Sequence, residues 1–366
     1  NSVLEQVGRY EALLAKFYIF VAAMIFILAY FLSEKRLDKR GKIDGISLIA
    51  ILLGLIVTIF ISTYTNIRVI QADIAFKLAD PFTGGTQWPV AIQIYKRANT
   101  LAPIEDYYYL FLGRAYLEYA KLITDQEEQE SLIFQAENDL KRAQTINPLN
   151  TDHTANLARL NNLWSTYAID QDEKLAKARA SSEYFSKAVI LSPKNARLWG
   201  EWALLYLNVL EQPEEAREKL LRAQKIDPNY HWTYALTGEM YSQFAHNSSD
   251  SAAKENYYRQ AIEAYKRAIE LPTPGDALAK YNYSLALGAT YINLNMLPDA
   301  IAAYRQAIEL APTTLAIWRV EESIGILYSK LGDINNATSY ITSAIESAPE
   351  DQKDRLQSIL NQLQPN

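Results

Sequence analysis

A short phrase recurs seven times along the 366-residue chain: a small residue, a bulky one four later, Ala three after that, and Pro five further on, or four in the fifth copy. It reads Ala91-Tyr95-Ala98-Pro103, Ala136-Leu140-Ala143-Pro148, Ser181-Phe185-Ala188-Pro193, Ala216-Leu220-Ala223-Pro228, Ala261-Tyr265-Ala268-Pro272, Ala300-Tyr304-Ala307-Pro312 and Ala337-Ile341-Ala344-Pro349. A unit this short cannot bury its apolar face alone, so a tandem of such units closes a core only by stacking. The small positions let two antiparallel helices approach closely, and the bulky one fills the space between neighbouring units. The Pro stops the second helix of each unit and enforces the turn into the next.

Upstream of the phrase a first helix carries its own marks: Leu112-Gly113-Arg114-Ala115-Tyr116, Leu287-Gly288-Ala289-Thr290-Tyr291 and Ile324-Gly325-Ile326-Leu327-Tyr328. Looser versions are Trp199, Trp202-Ala203 and Tyr206, then Tyr234, Thr237-Gly238 and Tyr241. Gly and Tyr three apart share one helical face, where the Gly admits a neighbouring helix. On these residues the chain resembles the tetratricopeptide repeat (TPR) family, whose units run to about 34 residues. The resemblance covers residues 66–350 and implies an all-α fold, a right-handed TPR superhelix of about seven helix pairs. The expected units are 66–105, 106–150, 151–195, 196–230, 231–275, 276–314 and 315–350, closed by a capping helix over 351–366.

The interval between the small residue of the first helix and that of the second is not constant. Gly288 to Ala300 and Gly325 to Ala337 are each twelve apart, whereas Gly113 to Ala136, Ala158 to Ser181 and Gly238 to Ala261 are twenty-three apart. Eleven added residues make about three helical turns, so lengthening both helices of a pair keeps every side chain in phase. The inserted stretches around Thr124–Glu130, Asp170–Lys174 and Ser248–Ser251 are polar and supply Asp and Ser as helix caps. Three tall pairs are expected.

The first 65 residues form a different material, a two-helix transmembrane hairpin with spans over 13–33 and 46–65. Phe17–Leu32 and Ile46–Ile61 are uninterrupted apolar runs, extended by their flanks toward the roughly 20 residues that cross a bilayer. Tyr10, Phe17, Tyr18, Tyr30, Phe31 and Tyr64 occupy positions suited to interfacial aromatic belts. The connector over 33–45 carries five Lys and Arg, against Arg9 and Lys16 on one flank and Arg68 on the other. That asymmetry places the connector in the cytoplasm and the repeats on the extracytoplasmic side of the cell membrane. No Gly or Pro lies between Gly54 and Pro81, so the second span is expected to run on as the first helix of the first repeat, through Asn66, Ile70, Ile74 and Leu78. The opening at Asn1, with no basic stretch before the apolar run, gives the expectation of no secretory signal and of an upstream membrane portion.

Catalytic chemistry is sparse. The chain has no cysteine and three histidines, His153, His231 and His246, none with metal-ligand spacing. There is no nucleophile elbow or phosphate-binding loop, and Gly84-Gly85 reads as a turn. Residues 1–65 hold seven basic and five acidic groups, and the rest 29 and 37; an acidic repeat region argues against nucleic acid. No cofactor and no catalytic constellation are expected. What remains is the concave groove that first helices of successive repeats line in this family. Its register gives Tyr107, Arg114, Glu118, Asn156, Arg159, Asn162, Arg197, Glu201, Asn208, Trp232, Glu239, Gln243, Asn282 and Asn293. Amides with aromatic faces suit a peptide backbone, or a glycan as the alternative.

A second resemblance concerns context. Asn147-Pro-Leu-Asn-Thr-Asp-His-Thr-Ala-Asn-Leu-Ala-Arg159, after two terminal membrane helices, looks like the C-terminal region of bacterial O-antigen ligase and polymerase-type membrane proteins. That resemblance implies an accessory domain of a cell-surface polysaccharide ligase, with its glycan-transferring residues upstream. The other reading is an anchored scaffold that binds protein or self-associates, with lipid contacted through 13–65.

Overall fold

The structure, a computed structural model, describes residues 16–21, 23–24, 52–53, 55–56, 58–60, 62–313 and 315–363. The chain divides into two compact units, Asn1–Tyr167 and Ala168–Asn366. Among the described residues the fold is all-α, a TPR-like solenoid of helices joined by short turns.

In the first unit a π-helical turn, Thr63–Ile67, leads directly into α1 (Arg68–Lys77); α2 (Asp80–Gly84), α3 (Trp88–Leu101), α4 (Asp106–Ala120), α5 (Gln126–Ile146) and α6 (Thr151–Tyr167) follow. Each long helix packs on the next, and α4 also meets α6. The second unit holds α7 (Gln171–Leu191), α8 (Ala196–Asn208), α9 (Pro213–Ile226), α10 (His231–Asn247), α11 (Ser251–Glu270), α12 (Ala279–Asn293), α13 (Leu297–Leu310), α14 (Trp318–Lys330), α15 (Ile334–Ser347) and α16 (Glu350–Leu363). Successive helices again pack in order, with α8 against α10 and α10 against α12. The division between units falls inside the third expected repeat, where the signature is weakest. There Asn161 stands in the Tyr position, buried, with its amide donating to Leu157 O at 2.8 Å.

All the small and bulky residues of the seven phrases are buried, most completely. The glycines of the first helix explain how closely the pairs approach. A Cβ on Gly238 would stand 2.7 Å from the Tyr265 ring, one on Gly113 2.7 Å from Leu140, and one on Gly288 would collide with the Tyr304 ring. Beyond the last pair, α16 buries Leu356 and Leu363 against α15, and Arg355 reaches Glu322 of α14 at 2.9 Å.

Tall helices are present at the three expected places, but the added length goes mainly to the second helix. α5 and α7 have 21 residues each and α11 has 20, against 14 in α3, α9, α13 and α15. Their first helices, α4, α6 and α10, reach only 15, 17 and 17. The inserted segments begin with a capping Asp and continue with good helix formers, so they nucleate the second helix early. Asp125 accepts from Glu128 N, Asp170 from Glu173 N and Asp250 from Ala252 N, at 2.8, 2.8 and 3.0 Å. Gln129 on the added part of α5 reaches back to the Ala120 and Ile123 carbonyls, closing the end of α4.

No helix among the described residues is long and apolar enough to cross a membrane. The two expected spans lie largely outside the described residues, and the 33–45 connector wholly so. The described part of them is helical, and Phe17, Ile19, Phe20, Leu52, Leu53, Ile56, Ile59 and Phe60 are each more than half exposed. At the junction, Thr63 Oγ1 donates to Ile59 O at 2.7 Å, the Phe60 and Tyr64 rings lie 4.6 Å apart, and the Arg68 guanidinium sits 4.7 Å over Tyr64. The helix therefore continues through 62 into α1 as expected, with a π-turn that no residue pattern announces.

Overpacking a helix crossing costs about 1–3 kcal/mol. Gly238→Ala and Gly288→Ala are each expected to lower the urea unfolding midpoint by that equivalent. Gly84→Ala, where an added Cβ meets nothing within 4 Å, is expected not to lower it in the same titration, since Ala in an open helical position stabilises relative to Gly.

Candidate functional site: the face of the first helices

In the second unit the first helices α8, α10 and α12 stand side by side. They are spaced by the glycine contacts and tied at their N-terminal ends. Trp232 of α10 lies against Gly200 of α8, where a Cβ would stand 2.8 Å from its ring. His231 Nδ1 and the Tyr283 hydroxyl of α12 share a hydrogen bond of 2.8 Å. Burial lowers the His231 pKa and raises that of Tyr283, so both are neutral at pH 7 and the bond between α10 and α12 is uncharged. Lower on the face, Gln243 Nε2 donates to Leu207 O at 3.4 Å, joining α10 to α8.

The expected groove residues separate into three kinds. Arg197, Asn208, Asn282 and Asn293 are exposed, and Arg197 pairs with Glu201 on the next turn at 2.8 Å. Trp232 and Gln243 are half-buried and hold the face together. Glu239 is half-buried on α10, burial raises its carboxyl pKa, and no ion pair or hydrogen bond to it is seen among the described residues; outside the expected groove, Asp139 of α5 shares this character, its pKa raised to about 6 by burial. Behind it the Tyr265 hydroxyl is pushed up to about 12, chiefly by burial, with the Glu239 charge adding to the shift.

In the first unit the register reads differently. Tyr107 joins an aromatic cluster with Phe76 and Phe111, 5.0 and 4.6 Å away, and Arg114 lies 5.3 Å over Phe111. Glu118 forms an ion pair with Lys121 at 2.6 Å. Asn156 is not a surface residue as expected: it is 5% exposed and its amide donates to Asp152 O in its own helix. Arg159 is half-buried, and the Asn162 side-chain oxygen is buried without a partner. An α-helix presents about a third of its residues to each neighbour; on α6, packed on both α5 and α4, the inward register is consumed by contacts.

Sequence reasoning missed Tyr230, His231 and Tyr283. Burial raises the Tyr230 pKa, with Arg197, Glu201, Asp227 and Asp276 close enough to act on it. An open cleft of about 630 Å³ runs past Arg197, Asn195, Lys194, Asp227 and Tyr230. A second of about 340 Å³ joins the start of α11 to the end of α12, between Lys254, Arg259 and Tyr258 on one side and Asn293 and Asn295 on the other. The neighbours of Trp232 could have pointed to the first of these; nothing in the sequence pairs His231 with a residue 52 positions on.

The tetratricopeptide repeat family model matches residues 242–272, 281–314 and 323–351. These three units are tetratricopeptide repeats. Solved structures of low identity are similar to the chain, and human IFIT1, at a TM-score of 0.50, bears on fold alone. Human IFIT1, solved as a dimer with PPP-AAAA, is 16% identical with a TM-score of 0.50, covering 80% of this chain and 63% of that one. PilF of Pseudomonas aeruginosa is 18% identical at 0.46, covering 69% and 97%. A TPR protein of Parabacteroides merdae is 12% identical at 0.46, covering 80% and 98%. No curated protein matches the chain, and none of these matches bears on the O-antigen ligase resemblance.

A carboxyl whose pKa is raised by folding favours the folded state below its unfolded pKa and disfavours it as pH rises through the folded value. Glu239→Gln is therefore expected to raise the melting midpoint at pH 7, the gain vanishing below the ordinary Glu pKa of about 4.3. Thermal unfolding followed by circular dichroism across that range checks it; an unchanged or lowered midpoint at pH 7 contradicts the assignment.

Proposed function

We propose that this chain is a membrane-anchored scaffold whose TPR array faces away from the cytoplasm and binds a protein or peptide along the α8–α10–α12 face. The observation that carries the binding reading is Glu239. A half-buried carboxylate kept without a partner costs stability, and such groups concentrate where a ligand supplies the missing charge. The exposed Arg197 and Asn208 of α8 and Asn282 and Asn293 of α12 offer the hydrogen-bonding groups that an extended peptide backbone needs. A Lys or Arg side chain of the partner placed against Glu239 would supply the opposite charge that burial leaves without a counterpart. The Arg197–Glu201 pair is internally neutral and contributes direction more than net charge.

The anchor reading rests on the apolar residues described within 16–24 and 52–60, most of which are more than half exposed. The basic 33–45 connector supports the outward orientation through its charge asymmetry.

Site-specific photo-crosslinking in intact cells tests both parts. A benzoylphenylalanine at Asn282 or Asn208 is expected to capture a discrete protein adduct, while one at Arg222 of α9 captures none. The adduct should weaken about tenfold or more on Glu239→Ala, as loss of a desolvated charge pair implies. Equal capture from Asn282 and Arg222, or indifference to Glu239→Ala, would rule out this face. Release of the chain by an alkaline wash of the membrane fraction would rule out the anchor.

A further inference from the structure

We propose that the edge of the first unit formed by its proline turns rests on the bilayer, with Ile104 and Leu149 inserted into the lipid interface. This rests on the anchored reading above and adds a second membrane contact to it. Helices joined by short turns alternate in direction, so the turns after α3 and α5 lie on the edge from which α1 begins. The Phe76 ring of α1 lies 5.0 Å from the Tyr107 ring, tilted by 58°. At about 1.5 Å of rise per residue, Arg68 lies about 12 Å back along α1 from Phe76 and Ile104 about 4.5 Å back from Tyr107, so the Pro103-Ile104 turn stands about 7.5 Å from the level of Arg68. Arg68 in turn sits over Tyr64, directly after the exposed Ile59 and Phe60.

The tips of these two turns are apolar and uncovered: Ile104 is 71% exposed and Leu149 77%. The turns are held together at the same edge. His153 Nε2 lies 2.6 Å from Asp106, and Asn150 donates to the same carboxylate at 3.5 Å. Burial pushes the Asp106 pKa up, but hydrogen bonds from His153, Asn147 and Asn150 outweigh it and lower it overall. The carboxylate at the edge thus finds partners within the protein, in His153 and Asn150.

The pattern stops with distance along the chain from the apolar N-terminal segment. The residue after the repeat proline is Ile104 and Leu149 in the first two units, then Lys194, Asn229, Thr273, Thr313 and Glu350. Amphipathic tips of this kind settle about 5–10 Å into the headgroup and acyl boundary.

The chain has no cysteine, so single Ile104→Cys, Leu149→Cys, Phe60→Cys and Glu128→Cys substitutions each carry one environment-sensitive fluorophore. The full chain is reconstituted in phosphatidylethanolamine–phosphatidylglycerol vesicles containing a doxyl-labelled phospholipid. The expected result is a blue shift and loss of fluorescence at 60, 104 and 149, with none at 128. Quenching at 60 alone overturns the proposal while leaving the anchor standing. Absence of quenching at 60 removes the anchor and the proposal together. A blue shift at 104 and 149 without lipid quenching assigns the edge to a second copy and also overturns it.

Discussion

Everything in this fold depends on how closely two helices of a pair can approach. In the first helix a glycine or alanine leaves a gap, and in the second a Tyr, Leu, Phe or Ile fills it. Gly238 under Tyr265 and Gly113 under Leu140 leave no room even for a methyl group. Because that contact fixes the spacing of a pair, it also fixes where the next pair can stack. The spacing of α8, α10 and α12, and hence the width of the face they present, follows from side chains buried behind it.

Polar groups divide between holding this arrangement and serving something outside it. His231–Tyr283, Gln243–Leu207 and Trp202–Ser182, the last at 2.9 Å, pair buried donors with acceptors on neighbouring helices. Glu321 accepts from Ser343 and Ser347 in the same way. Lys219 is nearly buried on α9, yet its ammonium lies over Trp202 and Tyr206 and meets Glu218 at 3.0 Å. Glu239, like Asp139 on α5, is a half-buried carboxyl whose pKa burial raises and for which no hydrogen bond or ion pair is seen among the described residues, and it lies on the face of the first helices. A scaffold that keeps one such group on its presenting face is prepared for a complementary charge from a partner.

The architecture was legible because it is periodic. Each of the seven phrases is buried where spacing placed it, and the eleven-residue steps are helix with an Asp cap at each start. The division of the added length was not legible, since an interval between two small residues says nothing about where the intervening turn falls. The groove was legible only in part. The register's Arg197, Asn282 and Asn293 are exposed, as is Tyr107 at 47%, but it also chose Asn156, which packing consumes. A helical register gives the direction of a side chain from its own axis, and burial depends on which neighbours that direction meets.

The sequence by itself determined the helices, their caps, the repeat and the apolar character of the N-terminal segment, because each depends on residues within one or two turns of one another. Only the tertiary structure decided which polar groups found partners, since His231 and Tyr283, or Asp106 and His153, are brought together by stacking across repeats. It alone set Ile104 and Leu149 at one edge. Their exposure reflects the alternation of helix direction and the tie through Asp106, neither of which is written in any local run of residues.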